Sequence, residues 1–320
     1  MKVIDLEAIR RVVRFPEIID LMRDALVAQS RGECDTPMPM HLSVPSERAE
    51  VHVKGSYRQG GQYFGLKIAS TFPHNRERGL SVSNGMMLLL SAKNGDPLAY
   101  FADRGEMTDI RTAAVSAMVT REIGRQDEVL GVIGAGIQGR LQARTHAEVL
   151  PLKRILVHDV VPERLEGYAS EMRALLPEVE VRPCGSTAEV ARGARLIVTV
   201  TPAREPHLRR RDVRPGTHIN AVGADTPGKH ELDPQILRDA GVLLVDSVAQ
   251  CLRLGELQHA SELEPDAVEI GAFCEHPVSL PPQAVTVCDM TGLGVEDLFI
   301  AQYCYERLSG GGGGDAEGDG

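Results

Sequence analysis

The chain has 320 residues and a formal charge of −10, from 45 acidic against 35 basic side chains. That length predicts two domains with room for a full core, and 42% apolar residues is the content of a globular chain. An acidic balance without a basic patch excludes nucleic acid and anionic membrane as partners; the densest basic run, Arg209-Arg210-Arg211, reads as a solvated loop.

Met1-Lys2-Val3-Ile4-Asp5 carries no apolar signal core, and no stretch approaches membrane-spanning length, so the expected location is cytoplasmic. Residues 5–31 read as two short helices, with Phe15, Ile18, Ile19, Met22 and Leu26 recurring at core spacing. Prolines in Thr36-Pro37-Met38-Pro39 make a loop. Strands are predicted over 50–57, 63–70 and 82–90, and Asn94-Gly95 turns a hairpin into 97–101. Thr108 is the expected N-cap of a helix that ends at Gly124. The domain junction is placed on that helix, dividing residues 1–115 from 116–294.

From Val129 the pattern becomes strand, helix, strand, repeated. Strands are expected near 129–133, 155–158, 179–182, 196–200, 218–222, 242–245 and 285–288. This is an α/β fold: a Rossmann-type doubly wound parallel sheet beside an α+β first domain. The last helix, 295–308, is apolar on one face and is expected to pack back on the first domain. Residues 309–320 are Gly-rich and acidic and read as a disordered tail. Cys34, Cys184, Cys251, Cys274, Cys288 and Cys304 are scattered without C-x-x-C and read as free thiols. No H-E-x-x-H or similar spacing is present, so no metal is expected; nor is there a G-x-S-x-G elbow.

The strongest motif is Val129-Leu130-Gly131-Val132-Ile133-Gly134-Ala135-Gly136-Ile137-Gln138-Gly139. A short apolar strand runs into G-x-G-x-x-G and then a helix. Gly134 permits the turn, Gly136 lets backbone approach a pyrophosphate, and Gly139 lets helix pack on strand. The helix N-terminus faces the phosphates. The next strand ends at Asp159, where an acid accepts both ribose hydroxyls and repels a 2′-phosphate, the preference for NAD. Arg164, nearby, softens that preference.

Three further stretches carry chemistry. Lys67, apolar-flanked in Gly65-Leu66-Lys67-Ile68, needs an anion if buried: a substrate carboxylate or an internal ion pair. Arg111 lies in the first turn of a helix, against the dipole preference, and meets an external anion or is simply exposed. Asp225 follows a strand end in Asn220-Ala221-Val222-Gly223-Ala224-Asp225-Thr226-Pro227-Gly228-Lys229. It is either a general acid/base, its pKa raised by burial, or a turn former.

Lys67, Thr108–Ala113, the glycine turn, Asn220–Leu232 with its P-G-K-H-E-L, and Asp289-Met290-Thr291-Gly292 together resemble the ornithine cyclodeaminase/mu-crystallin family over residues 1–308. The resemblance implies homodimers with an N-terminal substrate-binding and dimerisation domain and a Rossmann domain binding NAD. It implies catalytic roles for Asp225 and Lys67, with Lys67 and Arg111 holding a substrate carboxylate and Thr291 near the substrate. Gly134, Gly136, Ile137, Gln138, Gly139, Asp159, Thr201, Ile219, Asn220, Ala221, Val222 and Lys229 match cofactor contacts, as does Arg111.

The implied activity is NAD(H)-dependent hydride transfer at the amino-bearing carbon of a small amino acid or its cyclic imine. Alternatives are an ornithine cyclodeaminase, a lyase giving proline and ammonia, and a non-catalytic binding protein like some mu-crystallins. No arginine lies between Arg31 and Arg48, so Pro39 or His41 takes the place of a loop arginine of cyclodeaminases. His52 falls where an acid would meet a distal ammonium, and imidazole suits that poorly. Val82 stands in line with a usual Thr or Ser, and Met290 replaces a frequent Ser, both as cofactor contacts. These departures point away from a diamine substrate.

Overall fold

The computed structural model describes residues 1–310, and the chain divides into two compact units, Met1–Arg111 with Leu293 onward, and Thr112–Gly292. In the first unit, strand β1 (Lys2–Asp5) leads into α1 (Leu6–Val12), whose N-cap Asp5 accepts from the Ala8 N–H at 2.8 Å. Helix α2 (Phe15–Ser30) buries Phe15, Ile18, Ile19, Met22 and Leu26, as the helical spacing requires. The strands that follow are β2 (Cys34–Asp35), β3 (Met40–Val44), β4 (Ala49–Arg58), β5 (Tyr63–Thr71), β6 (Ser83–Ser91) and β7 (Pro97–Ala102). They form one seven-stranded sheet in the order β1-β7-β6-β5-β4-β2, with β3 also on β4. Strands β1, β2 and β3 were not expected: each is short, and β3 is an edge strand exposed from Met40 to Ser43.

The C-terminal helix, Gly294–Gly310, lies on one face of this sheet. Two glycines permit the approach. A Cβ on Gly65 would stand 3.3 Å from Leu298 Cα, and one on Gly294 would stand 2.3 Å from the Gly55 carbonyl. Strand pleating then puts Lys67 and Ala69, with their register partners Lys54 and His52, on the helix side, and Leu66 and Ile68 on the other. The helix runs past the expected end at 308 and takes in Ser309 and Gly310; the rest of the expected tail lies outside the described residues.

Helix α3 (Glu106–Glu122) carries the boundary between the units. It begins before the expected cap Thr108: the Asp103 carboxylate accepts from the Met107 N–H at 2.9 Å. Gly124, at φ 71, ends it as expected.

In the second unit, β8 (Val129–Ile133), α4 (Ile137–His146), β9 (Arg154–His158), α5 (Pro162–Leu175), β10 (Glu180–Pro183), β11 (Leu196–Thr199), β12 (His218–Ala221), β13 (Val242–Val245), β14 (Ala267–Glu269) and β15 (Thr286–Asp289) build the sheet. Its eight strands run parallel in the order β10-β9-β8-β11-β12-β15-β13-β14. The first five strands thus have the doubly wound 3-2-1-4-5 arrangement, with the glycine turn at the strand where the order reverses. Only β14, three residues and half-exposed, was missing from the expectation.

Buried carboxylates pin the loops at the strand ends. Glu231 accepts from the Thr201 and Gly223 N–H groups, Glu256 from those of Glu231 and Leu232, and Asp246 from those of Thr291 and Gly292. Asp289 accepts from Leu257 N–H at 2.9 Å, while its Oδ1 finds no partner among the described residues. Burial, with Asp246 nearby, pushes its pKa up to about 7. A raised folded pKa favours folding below the unfolded value, and that advantage is lost as pH rises through about 7. Asp289→Asn should therefore stabilise the protein at pH 8, with the gain roughly 2–3 kcal/mol smaller at pH 5. Thermal melts of both proteins at the two pH values test this; an equal difference at both would rule the ionisation out.

Candidate active site

The expected residues fall in both units, and each set is described within its own. In the first unit, Lys67 and Arg111 are both buried, at 2% and 3% exposure. Their partners come from the first turn of the C-terminal helix, where acids suit the dipole. Arg111 donates through Nε to Asp297 at 2.9 Å and through Nη1 to Glu296 at 2.7 Å; Lys67 Nζ is 3.0 Å from Asp297. Lys67 therefore has the internal ion pair that was one of its two readings; Arg111 has internal partners that neither of its readings named, and an exposed Arg111 is excluded.

Burial, with Arg111 beside it, pushes Lys67 down to about 7 despite Asp297. Burial also works against the Arg111 charge, but Asp297 and Glu296 outweigh it and hold the guanidinium above its ordinary value. Asp297 stays below the usual carboxylate range despite burial, because Arg111, Lys67 and Lys54 face it. Lys54 is 7% exposed and pairs in register with Lys67. Sequence reasoning missed Lys54, Glu296 and Asp297. Lys54 had a usable signal: strand alternation puts it on the same face as His52. His41 and His52 are brought together, with ring centroids 4.8 Å apart. Val82 passes its carbonyl to the Phe72 N–H at 2.7 Å.

In the second unit, the glycine turn has the shape its motif demands. Gly134 has φ 111, and a Cβ there would meet the Val200 carbonyl at 2.8 Å; a Cβ on Gly139 would meet the Gly134 carbonyl at 2.0 Å. A Cβ on Gly136 would meet nothing within 4 Å, and α4 begins there without a side-chain cap. That leaves backbone N–H groups and space for a phosphate. Ile137 is exposed and Gln138 half-buried on that first turn. Asp159 accepts from Ala135 N–H at 2.8 Å and Val161 N–H at 2.9 Å, one bond per oxygen, so each keeps a lone pair for a ribose hydroxyl. Arg164 stands 3.8 Å from it. These residues fit a dinucleotide.

Other expected contact residues have side chains engaged within the protein. Ile219 and Ala221 are fully buried in the apolar core, and Val222 is 8% exposed. Asn220 donates to Ser116 O at 3.2 Å and Thr120 Oγ1 at 3.0 Å, and accepts from His218 at 2.9 Å. Its side chain anchors β12 to α3. The sheet is covered on both faces, so alternate side chains of its strands turn to core either way. Thr291 is likewise committed, donating to Asp246 and accepting from Gln250 at 2.8 Å; Met290 is 4% exposed. The Thr201 hydroxyl bonds Glu231.

Asp225 and Lys229 do come together, as an ion pair. The Asp225 side chain is 46% exposed, on a loop that turns through Gly228 at φ 77.

A model of the ornithine cyclodeaminase/mu-crystallin family matches residues 2–312. Iminosuccinate reductase of Paracoccus denitrificans is 32% identical, over 82% of this chain and 83% of its own. The ketimine reductase mu-crystallin of Mus musculus is 31% identical over 92% and 93%. The Thermococcus litoralis Δ1-pyrroline-2-carboxylate reductase, solved with NADH and L-proline, superposes with a TM-score of 0.90 at 27% identity, covering 99% of this chain and all of that one. A turn shaped for a dinucleotide, a buried pair of cations and full-length matches agree: the chain belongs to the ornithine cyclodeaminase/mu-crystallin family.

Proposed function

We propose that this protein is an NAD(H)-dependent oxidoreductase that transfers hydride at the amino-bearing carbon of a small amino acid or of its imine. One observation carries the reading. Lys67 and Arg111, with Lys54 facing the same carboxylate Asp297, form a buried cationic cluster of the kind that holds a substrate carboxylate. Relatives named as imine reductases support it. Bound NAD(H) supplies or accepts the hydride. Gly134, Gly136 and Gly139 admit its pyrophosphate, and Asp159 takes its ribose hydroxyls. Lys67 and Arg111 hold the carboxylate, and Asp225 passes a proton to and from the reacting nitrogen. His41 and His52 continue the row that starts at Lys54.

The protein acts as a homodimer through the sheet face opposite the C-terminal helix. That face presents Leu66 at 39% exposure, with Met40 at 54% and Leu42 at 50% on the same side of β3.

Three outcomes are expected. Asp225→Asn should lower turnover by roughly a hundredfold or more while NADH affinity, followed by fluorescence, holds; parallel loss of NADH binding would remove the assigned role. Lys67 is cationic below pH 7 and neutral above, so kcat/KM should fall about tenfold per pH unit beyond about 7. A carboxylate drawn to Lys67 raises its pKa, so kcat should fall less; a flat kcat/KM to pH 9 contradicts the assignment. Leu66→Glu should shift the mass measured by light scattering from dimer to monomer, and an unchanged dimer would place the interface elsewhere.

A further inference from the structure

Strand pairing creates a donor set that no stretch of the sequence shows. The register of β3 on β4 sets His41 directly opposite His52, and Glu50, two residues before His52, shares its face. The two rings are tilted by 47°. Glu50 Oε2 lies 3.9 Å from His52 Nε2, and one donor atom from each of the three residues lies within 4.8 Å of the other two. Among the described residues, no other three His, Cys, Asp or Glu side chains converge this way.

We propose that His41, Glu50 and His52 bind a divalent transition-metal ion of the Zn²⁺, Co²⁺ or Ni²⁺ class. Zinc bonds imidazole nitrogen and carboxylate oxygen at about 2.0–2.2 Å, so the donors must close by roughly 1 Å. His41 is exposed and the other two are half-buried, so their rotamers can adjust. Two imidazoles and one carboxylate leave a fourth position for water, the donor set of open zinc sites. Imidazole nitrogens favour these ions over magnesium and calcium, which take oxygen ligands. Lys54, next along the same face, opposes the ion's charge and weakens its binding. The ion fastens β3, exposed from Met40 to Ser43, to the strand behind it. This binding needs neither the dinucleotide nor Asp225, so it stands or falls apart from the hydride chemistry.

The test is calorimetric titration of EDTA-stripped full-length protein with zinc chloride, with cobalt(II) absorption reporting the coordination. One ion per chain is expected, with affinity roughly tenfold or more weaker in His41→Ala and in His52→Ala. Glu50→Gln should weaken it less, and NADH titration of each variant confirms that the fold persists. Absence of saturable binding at micromolar zinc overturns the proposal. So does equal affinity in the His41→Ala/His52→Ala double variant, which would put the ion elsewhere.

Discussion

Placing Lys67 and Arg111 out of water is the constraint on which the first unit depends. A buried cation without a partner is costly, and both are almost fully buried. Their partners, Glu296 and Asp297, arrive 185 or more residues later in the chain. The N-terminal sheet therefore cannot complete its own electrostatics from its own stretch of sequence. The C-terminal helix must lie across β4 and β5, and Gly65 and Gly294 are the residues that let its backbone come close enough. Ion pairing and substrate binding are not competing readings of these cations. Asp297 and Glu296 hold Lys67 and Arg111 in place, and in the proposed function that is the preorganisation that makes their charge useful. At Lys67, burial and the neighbouring Arg111 outweigh Asp297 and lower the pKa.

The second unit applies the reverse chemistry. There the buried charges are carboxylates, and their partners are backbone N–H groups at the carboxyl ends of strands. Glu231, Glu256, Asp246 and Asp289 each bind the loop beside a neighbouring strand, and Asp159 does the same for the glycine turn. In such sheets ligands lie beyond those strand ends, so loops fixed by carboxylates give a defined floor. It also explains why Asn220 and Thr291, conspicuous in the sequence, have their side chains turned to neighbouring elements.

What could be read from sequence follows the range of the interactions concerned. The glycine turn depends on residues within one short run, so its spacing sufficed, and the structure shows each glycine where a Cβ would or would not fit. Helix α2 and the longer strands were legible because burial imposes a period on their side chains. Strands β1, β3 and β14 had no such period, being short or exposed. Lys54 and Glu50 were passed over because a polar residue in a strand acquires meaning only from what pairing places opposite it. Asp297 needed the fold itself. Asp225 and Lys229 lie four residues apart in one run, so their ion pair is local.

The register of β4 follows from the same charges. Glu50, His52, Lys54 and Ser56 share one face, while Val51, Val53 and Tyr57 share the other. A slip of one residue against β5 would turn Lys54 away from the helix and bring Val53 beneath it, leaving Asp297 facing one cation fewer. It would also move Gly55, whose carbonyl lies against Gly294, out of the helix's path and put a side chain near that contact. Electrostatics and close packing thus select the same register independently. Hydrophobic alternation alone would specify it weakly, because the apolar face of this sheet is partly open. The row of polar residues under the C-terminal helix is therefore what aligns the strands, and its chemistry, imidazole and carboxylate at one end and ammonium at the other, is fixed by the same alignment.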